Sequence, residues 1–462
     1  MTVDRINRDG DFRLSSQIDI SWWGNDSDGY IVGYEYAIND TSEGAWTFTT
    51  KTDSTFILPI TSGESIDDVL FKVRAVDNDE ARDPVGARLV YPIVNSSPSV
   101  AINSTETPPD TLFSIASFGW TVDDPDGIGN IASTEIAVND TINGWVEMPI
   151  PDGENTVFIN IELENDGVLG EQLGTVYLGR SYTTAQNLNV PGLKVGEMNT
   201  FYVRATDNAG AVSNVDSKSW FIKPRTSNTL FLNDFYGSAT LESQALHLSI
   251  LNDLGIQPDV WMINDKEVAQ EKVELSDAFP TVLDPTLKKT LAKWDHIYWV
   301  SDDIDRNITY ALDITDEFFD DNGTMFVTIP TKNISINDEI FNFLPVDSLG
   351  VLEGIQTDFL LRNGTEVTPV SGSGDTLTVN RSTTGIYPMK PIANATSLYD
   401  ADFYATTVLG FNQDYQKSES VAIENPEGSL IYFGLEFTKL DSYNGLVNVL
   451  ETMLIDRLNF KQ

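Results

Sequence analysis

One passage of this chain is written twice, and that repetition constrains its fold more than any other feature. ISWWGNDSDGYIVGYEYAIND, from Ile20 to Asp40, lies over FGWTVDDPDGIGNIASTEIAVND, from Phe118 to Asp140, so that Asp26, Asp28 and Gly29 fall on Asp124, Asp126 and Gly127. Further on, LFKVRAVDNDE from Leu70 matches TFYVRATDNAG from Thr200, placing Arg74, Asp77 and Asn78 over Arg204, Asp207 and Asn208. Two copies of one pattern predict two copies of one supersecondary unit. The second copy carries about thirty extra residues in the Asp-, Gly- and Asn-rich stretch between Pro149 and Gly196, expected as an added hairpin or a long loop.

Each copy reads as strands. Ile18, Ile20 and Trp22 alternate with polar neighbours, as do Phe71, Val73 and Ala75, and Phe201, Val203 and Ala205. That period of two is the mark of half-buried antiparallel strands. Short strands divided by Asn, Asp and Gly turns over about 100 residues, with a Trp on an early strand, predict an immunoglobulin-like sandwich. The expected boundaries are residues 1–96 and 97–224, with an insertion around 150–196 and linkers near VNSSP (94–98) and IKPRTSN (222–228). The pattern W-x-x-D-x-DG-x-I-x-x-Y, followed by VRA-x-DN-x-G, resembles the fibronectin type III-like repeats of bacterial surface and secreted proteins. The resemblance covers roughly the first 224 residues and implies spacers or binding platforms.

In such a sandwich the loop after the second strand and the loop before the last strand emerge at one pole. That gathers Asn25, Asp26 and Asp28 with Asp77, Asn78 and Asp79 in the first copy, and Asp123, Asp124 and Asp126 with Asp207 and Asn208 in the second. Calcium takes six to eight oxygens of these kinds, so the functional reading is a Ca2+ ion at one pole of each sandwich. The first copy has the fuller set, since Ala209 replaces Asp79 in the second. The competing reading is turn formation, in which Asp and Asn side chains bond their own backbone.

From Thr229 the pattern changes to alternating strands and helices. TLFLNDF is followed by a helical stripe at Leu241, Ala245, Leu248, Leu251 and Leu254, closed by Gly255. DVWMI (259–263), a helix opened by Asp284 and Pro285, HIYWV (296–300), a helix over 308–321, TMFVTIP (324–330), SLIYFGLEF (429–437) and a helix over 444–460 continue the alternation. Such an order predicts a doubly wound, mostly parallel sheet over 229–462, with a β-rich insertion around 345–425. TLFLNDF, WDHIYWVSDD and GSLIYFGLEF, in that order, are similar to strands of the class I glutamine amidotransferase-like, flavodoxin-like fold. Active members use a Cys with His and Glu partners; this chain has no Cys and no G-x-S-x-G, so the glutaminase chemistry is expected to be absent. No phosphate-cradling glycine motif is present either.

Open α/β sheets bind ligands beyond the carboxyl ends of their strands. That edge carries Asn233, Asp234, Ser301, Asp302, Asp303 and Thr331, which suit a cation, sugar hydroxyls or paired acids in hydrolysis, or else plain helix capping. His247 and His296, the two histidines, are expected at boundary or surface positions.

Charge narrows the partners. With 28 Lys plus Arg against 70 Asp plus Glu, the net charge of −42 repels nucleic-acid backbones and anionic membrane surfaces. The absence of Cys excludes disulfides, thiolate catalysis and Cys-bound metals. No run of 18 apolar residues is present, so no direct membrane span is expected, and an export signal or lipid anchor is expected outside this stretch. Eleven N-x-[ST] acceptors exceed the roughly six expected by chance and favour export, though turn chemistry at the matched AINDT and AVNDT explains some of them. The leading expectation is a non-catalytic cell-surface or secreted binding or scaffold protein with an extracellular glycan or envelope protein as partner. The alternatives are a hydrolase using the strand-end carboxylates, and a structural lattice or stalk subunit.

Overall fold

A computed structural model describes residues 14–460 apart from 15, 62–63, 151–153, 236–239, 263–284, 333 and 411. Strands are the predominant secondary structure of the described chain, and the first half is arranged as β-sandwich layers. In the first sandwich, Thr47–Thr49, Ile31–Ile38, Ile66–Asp77 and Ala87–Val94 form one antiparallel sheet, and Gln17–Ser21 pairs with Asp53–Ile57 in the other. Trp22 fills the space between them, with the rings of Tyr34, Tyr36, Phe56 and Phe71 all about 6 Å away.

The second sandwich repeats this plan on a larger scale. Its core holds Trp120, the match of Trp22, together with Phe118 stacked on Phe201 at 4.0 Å and Trp220 against Phe118. The extra residues of this copy supply strands Gly170–Leu178 and Thr183–Val195, an antiparallel hairpin that extends the sheet from the edge of Thr156–Leu163.

The repeated VRA motif has a physical cause. Arg74 lies over the Trp46 ring at 4.0 Å and pairs with Glu35 across the strands; Arg204 lies over Trp145 at 4.1 Å and pairs with Glu135. AINDT and AVNDT are equally structural, because Asn39 and Asn139 take left-handed backbone and accept the N–H groups of Leu70 and Thr200.

In the second half, five parallel strands run in the order Asp259–Met262, Thr229–Asp234, His296–Ser301, Thr324–Thr328, Leu430–Phe433. Alternate residues of each strand face opposite layers. Leu230, Leu232, Ile297 and Trp299 pack with Leu287, Leu291 and Ile308 on one side, while Phe231, Tyr298 and Val300 pack with Ile250, Leu251, Leu446 and Leu450 on the other. The stretch 345–425 continues the sheet with antiparallel strands, so parallel pairing covers only part of a fourteen-stranded mixed sheet.

Three elements depart from the sequence reading. The helix expected over 308–321 is broken into a 3-10 turn, Asn307–Tyr310, and two short helices, Ala311–Ile314 and Asp316–Asp320, which still place Ile308, Ala311, Ile314 and Phe318 in the core. SLIYFGLEF pairs only through Phe433 and then turns so that Phe437 enters the core. The last helix is α-helical over Tyr443–Leu450 and widens to a π-helix over Glu451–Arg457, burying Met453 and Leu454.

The second sandwich and the parallel sheet share one apolar core. Phe113 of the sandwich stands edge-on to both Trp261 and Trp294, at 5.5 and 4.8 Å. Beside it, buried Asp259 accepts the backbone N–H groups of Thr226 and Ser227, the Thr226 hydroxyl and Trp294 Nε1. Residues 222–228, expected as a linker, are therefore tied to that core by hydrogen bonds, with Ile222 buried in it. Asp259→Ala orphans the buried Trp294 Nε1 and the part-buried donors of Thr226 and Ser227, and is expected to cost about 3 kcal/mol. In calorimetry the second sandwich and the α/β layer should melt as one transition, which this variant lowers, while the first sandwich melts separately at an unchanged temperature.

Candidate functional site

The carboxyl edge of the parallel strands is built around Asp234. Its strand is wholly buried, and the Asp234 side chain has 0% exposure, enclosed by the turn that follows His296–Ser301. Asn307 Nδ2 donates to Asp234 Oδ1 at 2.7 Å, and the Ser301 hydroxyl donates to the Asp234 carbonyl at 3.3 Å and to the Asp303 carbonyl at 2.9 Å. Arg306 pairs with Asp302 at 2.9 Å just outside. Burial pushes the Asp234 carboxyl up to about 7, with repulsion from Asp302 adding to it, against the Asn307 hydrogen bond and the Arg306 charge.

Asp234 and Asp302 thus interact, whereas Asp303 turns away and accepts the Asp305 backbone N–H. Asn233 is also buried, accepting the Phe235 N–H while its amide lies against Met262 Sδ. Thr331 bonds Tyr432 Oη at 2.9 Å. Four side chains complete the edge that sequence reasoning did not select: Arg306, Lys332, Glu436 and Lys439. Burial and the neighbouring Lys439 lower the Lys332 pKa, and Lys439 pairs with Glu436 at 2.7 Å. Their signal was positional: Lys332 follows TMFVTIP, and Glu436 and Lys439 follow the last parallel strand.

The histidines are not surface residues. His247 is 2% exposed, its Nδ1 is 2.8 Å from Tyr298 Oη, and burial drives its pKa down to about 3. His296, also buried, stacks on Phe460 and bonds the Thr324 hydroxyl. Both are neutral packing groups at physiological pH, remote in character from a general base.

The polar loops do meet at one pole in each sandwich. In the first, Asn78 Oδ1 accepts the Tyr30 N–H at 2.8 Å, Asp26 Oδ1 accepts that of Asp28, and Asp77 Oδ1 accepts those of Asp79 and Ala81. A Cβ at Gly29 would stand 2.2 Å from Asn78 Oδ1 and 2.6 Å from Asp26 Oδ2, which explains the glycine in D-x-DG. Asn25, Asp28, Asn78 and Asp79 are exposed, and Asp26 and Asp77 half-buried, so this set consists of turn-forming groups open to water. In the second sandwich the corresponding Asp124, Asp126 and Asp207 are buried, because residues of the first sandwich and its connector lie over them. Enclosure therefore favours the second set, although the first is richer in ligand-type residues. Burial raises the Asp124 carboxyl above the usual range, with Asp126, Asp207 and Asp123 adding repulsion, against the Asp126 backbone N–H. Among the described residues, no three acidic or histidine side chains converge closely enough to hold a metal ion by themselves.

Several glycosylation acceptors already use the amide nitrogen to which a glycan would be joined. Asn95 donates to Asp207, Asn103 to Glu106, Asn139 to the Gly192 carbonyl, Asn307 to Asp234 and Asn380 to the Leu440 carbonyl. These five acceptors are structural, which weakens the sequon count as a sign of export; Asn333 lies outside the described residues.

No family model matches the chain, and no curated protein matches it by sequence. Similar solved structures include fibronectin(III)-like modules of CbhA from Clostridium thermocellum, 16% identical over 46% of this chain and 88% of that one, with a TM-score of 0.17. The glutaminase domain of CTPS from Trypanosoma brucei, with bound acivicin, is 13% identical over 51% of this chain and 94% of that one, with a TM-score of 0.29. The chicken interferon gamma receptor alpha chain is 8% identical over 45% and 97%, with a TM-score of 0.20. Scores this low give no basis for transferring an activity. Among the described residues no helix is long and apolar enough to cross a membrane.

The state of Asp234 is measurable. Its folded carboxyl keeps a proton up to about pH 7, whereas the unfolded one releases it near 3.8. Its contribution is thus full below about pH 4 and declines as the pH rises to about 7. Asp234→Asn is expected to flatten that decline and to exceed the parent in stability at about pH 8, as read from urea unfolding at several pH values.

Proposed function

We propose that this chain is a non-catalytic binding or scaffold protein of the bacterial cell surface or of secreted complexes. In this reading two fibronectin type III-like sandwiches carry a flavodoxin-like α/β layer that presents its strand-end edge to an extracellular glycan or an envelope protein. The observation that carries it is the enclosure of Asp234. Asp234, a strand-end acid whose pKa of about 7 would suit proton transfer, is sealed under Asn307, out of reach of a substrate. What the edge offers outside is a set of paired charges, Arg306 with Asp302 and Lys439 with Glu436, next to Lys332. Paired, partly exposed charges of both signs orient polar ligands and supply no nucleophile. The 2-1-3-4-5 order of the parallel strands is that of flavodoxin-like sheets, and the switch point between the strands at 229–234 and 296–301 is where such sheets take ligands. Placement outside the cell is supported by the strong negative charge and the cysteine-free composition.

The hydrolase alternative is kept because the Asp234 pKa of about 7 would suit a general acid if the turn over it opened. One experiment separates the two. Purified cell-wall polysaccharides, both in gel retardation and as hydrolysis substrates, are tested against the parent, Lys439→Ala and Asp234→Asn. Retardation weakened about tenfold by Lys439→Ala, with no products released, is the expected outcome. Product release abolished by Asp234→Asn would establish the hydrolase instead, and neither retardation nor products would overturn both readings for this substrate class.

A further inference from the structure

One lysine at the strand-end edge meets another lysine in place of an acid. Lys332 lies just beyond the strand Thr324–Thr328, is half-buried, and forms no ion pair among the described residues. Its backbone is fixed from two sides. The Thr331 N–H donates to the Gly434 carbonyl at 3.1 Å, the Tyr387 N–H donates to the Thr331 carbonyl at 2.8 Å, and Lys332 itself bridges to Ile386. The acids that act on its side chain, Glu436 and Asp302, are already engaged: Glu436 by Lys439 and the Thr438 hydroxyl, Asp302 by Arg306. The Lys332 nitrogen is instead within hydrogen-bond reach of the Lys439 nitrogen. Two ammonium groups cannot bond each other, because neither has a lone pair. Lys439, paired with Glu436 at 2.7 Å, is the charged member, so Lys332 accepts from it as a neutral amine. Burial and then the Lys439 charge lower the Lys332 pKa in the same sense, against the pull of Glu436 and Asp302. Beside the two lysines lies an apolar recess whose walls include Leu361, Ile386, Leu435 and Leu440 together with Glu436 and Lys439.

We propose that Lys332 is a reactive amine that captures a small aliphatic aldehyde as an imine, with the alkyl chain in the recess and Lys439 as proton donor to the departing oxygen. A lysine set beside a second cation and partly withdrawn from water is the arrangement that activates an amine toward carbonyl compounds. The Lys332 lone pair forms the C–N bond at the carbonyl carbon, and one amine proton passes to the carbonyl oxygen to give the carbinolamine. A second proton, from Lys439, carries that oxygen away as water. The iminium nitrogen then returns its remaining proton to Lys439, so that amine and aldehyde have become imine and water with no oxidant or reductant. Capture of this kind needs only these groups, whatever polar ligand the outer edge takes.

The test incubates the full chain with butanal or, separately, glycolaldehyde, in sodium cyanoborohydride, which adds hydride to the imine carbon and locks it as a secondary amine. Peptide mass spectrometry then gives the labelling rate at each lysine as a function of pH. At about pH 7 Lys332 is expected to label with butanal about tenfold faster than the exposed Lys51 and Lys390. Its preference for butanal over glycolaldehyde should exceed theirs about fourfold, the effect of burying one methylene. Lys439→Gln removes the neighbouring charge and frees Glu436, so the Lys332 rate at about pH 7 should fall about tenfold and its pH profile should move upward. Lys439→Arg keeps the charge but releases no proton in this range, so it should slow the reaction and leave the profile in place. The rates in the parent decide the matter if either variant fails to fold. A Lys332 rate no faster than that of Lys51, the same aldehyde preference at all three lysines, or a profile that Lys439→Gln does not move would each overturn the proposal.

Discussion

The architecture depends on one carboxylate and three rings. Asp259 holds the backbone of Thr226 and Ser227 and the indole nitrogen of Trp294, and Phe113 closes against the faces thus formed by Trp294 and Trp261. A buried acid is tolerated only when its oxygens are filled, and here donors from two segments fill them. The consequence reaches far along the chain, because the same apolar core runs from the second sandwich into the parallel sheet. The short polar stretch 222–228, IKPRTSN, is held between the two layers by these contacts. Further contacts reinforce it, including the pairing of Arg225 with Asp166 and the Lys223 ammonium on the Val260 carbonyl.

The two sandwiches show how a repeated motif acquires different meanings from its surroundings. Asp26 and Asp124 make the same turn, each accepting the N–H two residues on. Asp77 and Asp207 likewise each accept the N–H four residues on. In the first sandwich water solvates what the turn does not use. In the second, the first sandwich covers the same pole, and an identical local geometry leaves carboxylates buried. Local chemistry made the turns, and stacking of the copies created the electrostatic problem.

A similar division holds at the strand-end edge. Asp234 and Asp302 were legible because open α/β sheets expose groups after their parallel strands, and the alternation of apolar runs with helical stripes located those strands. That Asp234 is sealed, that Asp303 turns aside and that Lys332, Glu436 and Lys439 stand nearby depended on which turn folds over which strand. The histidines teach the same lesson. A His beside apolar neighbours carries no sign of whether a Tyr hydroxyl will meet it, as Tyr298 meets His247 across the layer.

By itself, the sequence determined the repeat, the strand period, the turns at D-x-DG and N-D-T, and the change to strand-helix alternation near Thr229, because all of these arise from interactions within a few residues or from the burial of one face. Tertiary structure alone decided which acids are buried, which segments between domains are held by contacts, and where the helix over 308–321 breaks. Those outcomes depend on partners more than a hundred residues apart, as with Ser16 and Asp126 or Asn95 and Asp207, whose meeting no local pattern encodes. The physical reason is that the cost of burying a charge is set by everything that surrounds it, and only the assembled fold defines those surroundings.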